Sequence, residues 1–168
     1  IYAGIDADVR TNGYDHFVER EIKQVGADEI RCRVRTDADD EVRLQSQLRA
    51  SFVRSGFQHG DRDGRLAGTI ELRRGKWETI EKRTTVWTTR NPDMPPPEKQ
   101  LITVNGCTWD ELRAEHAAVW GDRWQRTDVL IDGDPSSQLA MRVSIYHLLR
   151  AHVPDSRVAI DAKGYAGE

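Results

Sequence analysis

The sequence predicts a mainly β protein with appended helices: an antiparallel β-sandwich over residues 1–90, followed by a proline-rich linker and two helices. Three observations carry this reading. Apolar residues recur with period two through the first half of the chain, the mark of strands with one buried face. Prolines then cluster at Pro92, Pro95, Pro96 and Pro97, where missing amide donors end any sheet ladder. Beyond them, two segments carry helix-start chemistry followed by apolar residues at three- and four-residue steps.

The strands are taken in order. Residues 1–9 form the first and end at Thr11-Asn12-Gly13, where Asn-Gly is a strong hairpin signal because both residues tolerate positive φ. Residues 16–25 and 29–36 form a hairpin around Gly26-Ala27-Asp28. In residues 42–52, Val42, Leu44, Ser46, Leu48, Ala50 and Phe52 alternate with Arg43, Gln45, Gln47, Arg49 and Ser51, a strand with one wet face. Residues 58–64 read as a polar turn. Residues 66–72 and 77–89 then pair across Arg73-Arg74-Gly75-Lys76. So many strands in succession favour a sandwich, in which two apolar faces bury each other.

The helices follow the linker. Thr108-Trp109-Asp110-Glu111 is a capping box, whose threonine oxygen and glutamate carboxylate satisfy free amides at a helix start. That helix runs to about Gln125, with Trp109, Leu112, His116, Val119, Trp120 and Trp124 forming an aromatic stripe. Its spacing points to packing at a domain interface rather than to sugar stacking. Asp134-Pro135 starts the next helix as N-cap and first helical residue, and it extends to about Val153. Leu139, Ala140, Met141, Val143, Ile145, Tyr146, Leu148 and Leu149 cover more than one of its faces, so it requires neighbours from a larger helical domain.

Composition narrows the function classes. The chain has 168 residues, 38% hydrophobic and 32% charged, with a net charge of −3. Basic and acidic residues are interspersed, as in Asp61-Arg62-Asp63, which argues against a nucleic-acid partner. No apolar run approaches the roughly 20 residues a membrane span needs, so a cytoplasmic location is expected. Cys32 and Cys107 lie far apart and outside any metal-binding spacing, which favours two idle thiols. The first residues are already strand-like and the last, Lys163-Gly164-Tyr165-Ala166-Gly167-Glu168, read as an interrupted loop. The chain is therefore expected to be part of a longer polypeptide.

Candidate chemistry is sparse. His16, His59, His116, His147 and His152 form no metal-binding pattern; His116 and His147 read as helix-packing residues and His59 as solvated. The acids of Thr36-Asp37-Ala38-Asp39-Asp40-Glu41 read as a solvated turn. Asp128 and Asp132 are weak candidates for acid–base chemistry, and Asp134 is explained by capping. Nucleophile-elbow, phosphate-loop and dinucleotide signatures are lacking. The glycine-rich residues 162–168 remain, in which Lys163, Tyr165 and Glu168 offer charge and hydrogen bonds beside backbone that a ligand can approach.

At these residues the chain resembles glycoside hydrolase family 65, the maltose, kojibiose, trehalose and related α-glucoside phosphorylases. Ile1-Tyr2-Ala3-Gly4-Ile5-Asp6-Ala7-Asp8-Val9 is similar to a strand of the family's sandwich, and Val86-Trp87-Thr88-Thr89-Arg90 to its closing strand. Trp120-Gly121-Asp122-Arg123-Trp124 through Asp132-Gly133-Asp134-Pro135 resembles its linker helices, and Tyr146-His147-Leu148-Leu149 the first barrel helix. The resemblance implies part of a sandwich over 1–90, a linker over 91–133 and the start of an α/α barrel catalytic domain over 134–168. It implies an enzyme of carbohydrate metabolism that cleaves α-glucosidic disaccharides by inverting phosphorolysis. One carboxylic acid protonates the leaving oxygen while phosphate attacks the opposite face, giving β-glucose 1-phosphate. Inorganic phosphate is then a co-substrate and no cofactor is expected. Lys163, Tyr165 and Glu168 would border the glucosyl site, with the catalytic glutamate beyond this sequence, so the chain itself is expected to be inactive. A family 65 hydrolase and a non-catalytic carbohydrate-binding or scaffold sandwich are the alternatives. A homodimer is compatible with the resemblance.

Overall fold

A computed structural model describes residues 1–10, 13–50 and 53–151. The chain divides into two units, Ile1–Gly106 and Cys107–Glu168.

In the first unit the described residues form β1 (Tyr2–Asp6), β2 (Phe17–Gly26), β3 (Glu29–Thr36), β4 (Glu41–Ala50), β5 (Val53–His59), β6 (Asp63–Thr69), β7 (Ile80–Thr88) and α1 (Pro97–Asn105). One sheet has the order β1-β6-β5 and the other β2-β3-β4-β7, with every pairing antiparallel. Alternation sorts the faces: Ile5 and Leu66 from the first sheet meet Ile30, Cys32, Val34 and Leu48 from the second, with Phe17, Ile22 and Phe57 packed around them. This is the expected sandwich of two antiparallel sheets.

The connectivity departs from the sequence reading in three places. The expected hairpin at Asn12-Gly13 does not form, because β1 pairs with β6 in register Gly4↔Arg65 while β2 joins the other sheet. Likewise β6 and β7 are not partners. The segment between them crosses from one sheet to the other, and β7 lies against β4 with Leu44↔Val86 in register. Period two reports which face of a strand is buried, but not which strand lies beside it. Finally, β5 occupies residues that carried no strand signal. Gly56, at φ 130°, sits at a register shift between Arg54 and Gly56 that breaks the alternation.

Helix α1 is also new. Pro97 occupies its first turn and Pro96 is the N-cap without a side-chain hydrogen bond, so the usual polar start signal is missing. The helix packs on β7 and β4 and buries Pro97 and Leu101. It ties itself down with polar contacts: Thr85 Oγ1 donates to the Pro97 carbonyl at 2.8 Å, Asn105 Nδ2 to Gln47 Oε1 at 2.8 Å, and Arg83 to the Val104 carbonyl. The face of β4 expected to be wet is covered here, and Gln45 is buried.

The second unit holds α2 (Trp109–Thr127) and α3 (Pro135–Ala151). Both predicted starts are observed. Thr108 Oγ1 accepts from the Glu111 amide at 3.2 Å while Glu111 accepts from the Thr108 amide at 2.7 Å. Asp134 accepts from the amides of Ser136 and Ser137 at 3.0 and 3.2 Å. Neither helix has a buried residue.

Candidate functional site

Lys163, Tyr165 and Glu168 lie outside the described residues, as does His152. The structure describes the helical unit up to Ala151.

One aromatic row links its two helices. Trp120 of α2 meets Tyr146 of α3 with centroids 5.3 Å apart, His116 lies 6.1 Å from Trp120, and His147 stands edge-on to Tyr146 at 5.5 Å. Arg123 covers the Trp120 ring and Arg150 the Tyr146 ring. Trp120 thus joins two helices of one unit, and His116 and His147 each contact a ring, whereas Trp109 and Val119 of the same stripe are exposed.

The turn between the helices is braced from the side of α3. Gln138 receives the Ile131 amide at 2.7 Å through Oε1 and donates to the Val129 carbonyl at 2.8 Å through Nε2. Arg142 grips Asp128 with two hydrogen bonds. Hydrogen bonding from Arg142 holds the Asp128 carboxyl below its usual range. Asp134 is held lower still by the hydroxyls and amides of Ser136 and Ser137. Asp128 and Asp134 are therefore structural anions.

The acids of the β3–β4 turn are paired rather than merely solvated. His16 Nδ1 lies 2.8 Å from Asp37, Arg35 Nη1 donates to Asp39 at 3.0 Å, and Arg90 pairs with Asp40. Glu41 receives Arg33 and Arg43, and these hydrogen bonds lower its pKa. Asp39 adopts the left-handed conformation, φ 62°, that a tight turn requires. Among the described residues no group of three or more His, Cys, Asp or Glu is placed to hold a metal ion. No described helix is long and apolar enough to cross a membrane.

On the sandwich, a cavity of about 450 Å³ opens where β1 meets β6. Tyr2, Asp6 and Asp8 border it from β1 and the residues after it, and Arg62, Asp63 and Arg65 from the β6 side. Arg62 bridges Asp8 and Asp15 at 2.8 and 2.7 Å. Sequence reasoning missed this site because its two sides are joined only by the β1–β6 pairing. The available signal was Gly4 within a strand, a residue that marks close backbone approach.

No family model matches the chain. It is 26% identical over 163 residues to 1,2-alpha-glucosylglycerol phosphorylase of Bacillus selenitireducens, an alignment covering 96% of this chain and 21% of that protein. It is 28% identical over 189 aligned positions to kojibiose phosphorylase of Halothermothrix orenii, covering 100% of this chain and 24% of that protein. A 59-residue stretch is 39% identical to an uncharacterized glycosyl hydrolase of Mycobacterium tuberculosis, covering 35% of this chain and 8% of that protein. The chain thus spans about a fifth to a quarter of the length of the two phosphorylases. Along essentially its whole length, the chain is similar to phosphorylases of glycoside hydrolase family 65.

Proposed function

We propose that the chain is the sandwich, linker and opening barrel helix of a cytoplasmic α-glucoside phosphorylase acting by inverting phosphorolysis. The observation that carries this reading is that the similarity to two phosphorylases runs along this whole chain, through both the sandwich and the helical unit, while covering about a quarter or less of each phosphorylase. In this reading the disaccharide and phosphate meet in the barrel, beyond α3, and Lys163, Tyr165 and Glu168 border the glucosyl site.

The electrostatics support placing the chemistry elsewhere. A general acid must hold its proton near neutral pH, so its pKa is raised. Every described Asp or Glu with a clear shift is lowered instead: Asp15, Glu19, Glu21, Asp40, Glu41, Glu111, Asp128 and Asp134. Each is held ionised by hydrogen bonds: from a basic partner at Glu19, Glu21, Asp40, Glu41 and Asp128, from the Phe17 amide and then Arg20 and Arg62 at Asp15, and from Thr108 or the α3 serines at the two helix starts. Such groups stabilise a scaffold and cannot donate a proton to a leaving oxygen at neutral pH.

The test is an assay of this chain and of the longer gene product containing it on maltose, kojibiose and trehalose. Phosphate-dependent release of β-glucose 1-phosphate by the longer product, with none from the isolated chain, is expected. Turnover by the isolated chain at the rate of an intact enzyme overturns the proposal. The similarity to a mycobacterial glycosyl hydrolase motivates a second reading, a family 65 hydrolase. Sugar release by the longer product that does not depend on phosphate would favour it.

A further inference from the structure

We propose that the outer face of β1 and β6 binds a neutral pyranose sugar, with the Tyr2 ring as platform and Asp6, Asp63 and Arg65 as hydrogen-bonding groups. The site lies wholly within the sandwich unit.

Close backbone approach shapes the base of the site. Ile5 is buried in the core, so alternation turns Tyr2, Gly4 and Asp6 to the opposite face of β1. At Gly4 a Cβ would lie 2.1 Å from the Gly64 carbonyl oxygen and 2.7 Å from Arg65 Cα, so no side chain fits there. Gly4 thus lets β1 and β6 approach closely, and it lines the cavity together with Tyr2 and Asp6. Its volume, about 450 Å³, lies within the range of small-molecule sites.

The groups around it are held in place. Tyr2 is 66% exposed, yet the strand that carries it is pinned where the Ile1 amino group donates to the Gly68 carbonyl at 2.8 Å and the Gly68 amide donates back at 3.0 Å. Asp6 Oδ1 accepts the Asp8 amide at 2.8 Å, which orients its carboxylate. Arg65 donates Nε to Asp63 Oδ2 at 3.0 Å and places Nη2 on the same oxygen. Its Nη1 is not committed to that pair. An aromatic face beside fixed carboxylates and a guanidinium matches a pyranose, which offers an apolar ring face and a rim of adjacent hydroxyls.

Charge and edge chemistry exclude the competing ligands. Three carboxylates, Asp6, Asp8 and Asp63, face two guanidiniums, Arg62 and Arg65, so the lining disfavours an anionic sugar. A peptide adding to the β1 edge needs its free carbonyls, but Lys82 of β7 already donates to the Gly4 carbonyl. A neutral polyol is the ligand class that remains.

The test is a titration of the ¹⁵N-labelled chain with maltose, cellobiose and glucose 6-phosphate, followed by amide shifts. Saturable shifts at Tyr2, Gly4, Asp6 and Arg65 with maltose are expected. Tyr2→Ala and Arg65→Gln should each weaken binding by roughly tenfold or more without lowering the thermal midpoint appreciably, and Trp77→Ala should leave it unchanged. Only the choice of maltose as first probe rests on the proposed function. Equal binding of cellobiose upholds the pyranose site whatever the parent enzyme cleaves. Absence of saturable shifts at these amides, loss of binding through Trp77→Ala but not Tyr2→Ala, or tighter binding of glucose 6-phosphate than of maltose would each overturn the proposal.

Discussion

Arg142 of α3 reaches back across the interhelical turn and grips Asp128 with two hydrogen bonds, Nε to Oδ1 at 3.0 Å and Nη2 to Oδ2 at 2.6 Å. The paired geometry fixes orientation as well as charge. Arg142 lowers the Asp128 pKa in the folded state. A depressed carboxyl contributes stability above its unfolded pKa and loses that contribution as pH falls through the folded value. Arg142→Gln should raise the Asp128 pKa, read by carboxyl NMR titration, and reduce the acid sensitivity of the helical unit. An unchanged Asp128 titration would show that the pair does not persist in solution.

Removing the capping hydroxyl should loosen the start of α2. Thr108→Ala leaves the Glu111 amide without its acceptor and should cost about 1 kcal/mol of helix stability. Thr108→Ser should restore most of it. Hydrogen exchange at the Glu111 amide reports the same event locally, rising in the alanine variant and not in the serine variant.

Leu101 is the buried aliphatic anchor of α1, 2% exposed against the outer face of the second sheet. Leu101→Ala should lower the stability of the sandwich unit by about 3 kcal/mol, from lost burial and the cavity left behind. Urea unfolding followed by strand circular dichroism measures this. Ile102→Ala is the control, since Ile102 is largely exposed on the same helix and should change little.

Cys32 lies in the core with no accessible surface. Burial pushes its thiol up to about 11, which leaves almost no thiolate at neutral pH. It should therefore resist alkylation in the folded chain and react readily in denaturant. Mass-spectrometric mapping of the labelled residue under both conditions checks this.

Much of the fold was legible because its signals are local. The capping box at Thr108, the Asp134-Pro135 start and the alternation in β3 each act within a few residues, so sequence alone located them. Strand partners were not legible. The Ala3↔Leu66 and Ser46↔Thr84 pairings depend on which apolar faces close on one another across the whole unit. Helix α1 was hidden because proline replaces a polar cap, and β5 because Gly56 breaks its alternation. Of the helical unit, the sequence anticipated His116 and His147 as helix-packing residues, and both lie against aromatic rings. The Tyr2–Arg65 cavity was invisible for the same reason as the β1–β6 pairing that builds it.

That pairing also sets an order of events in folding. Among the described residues β1 pairs with β6 alone, a partner distant in sequence, while β2, β3 and β4 meet through short turns. Closing a long loop delays its reward. The three-stranded sheet should thus be the slow step in assembly of the sandwich, and an unpaired β1 the form most exposed to mispairing before Asp63 is available.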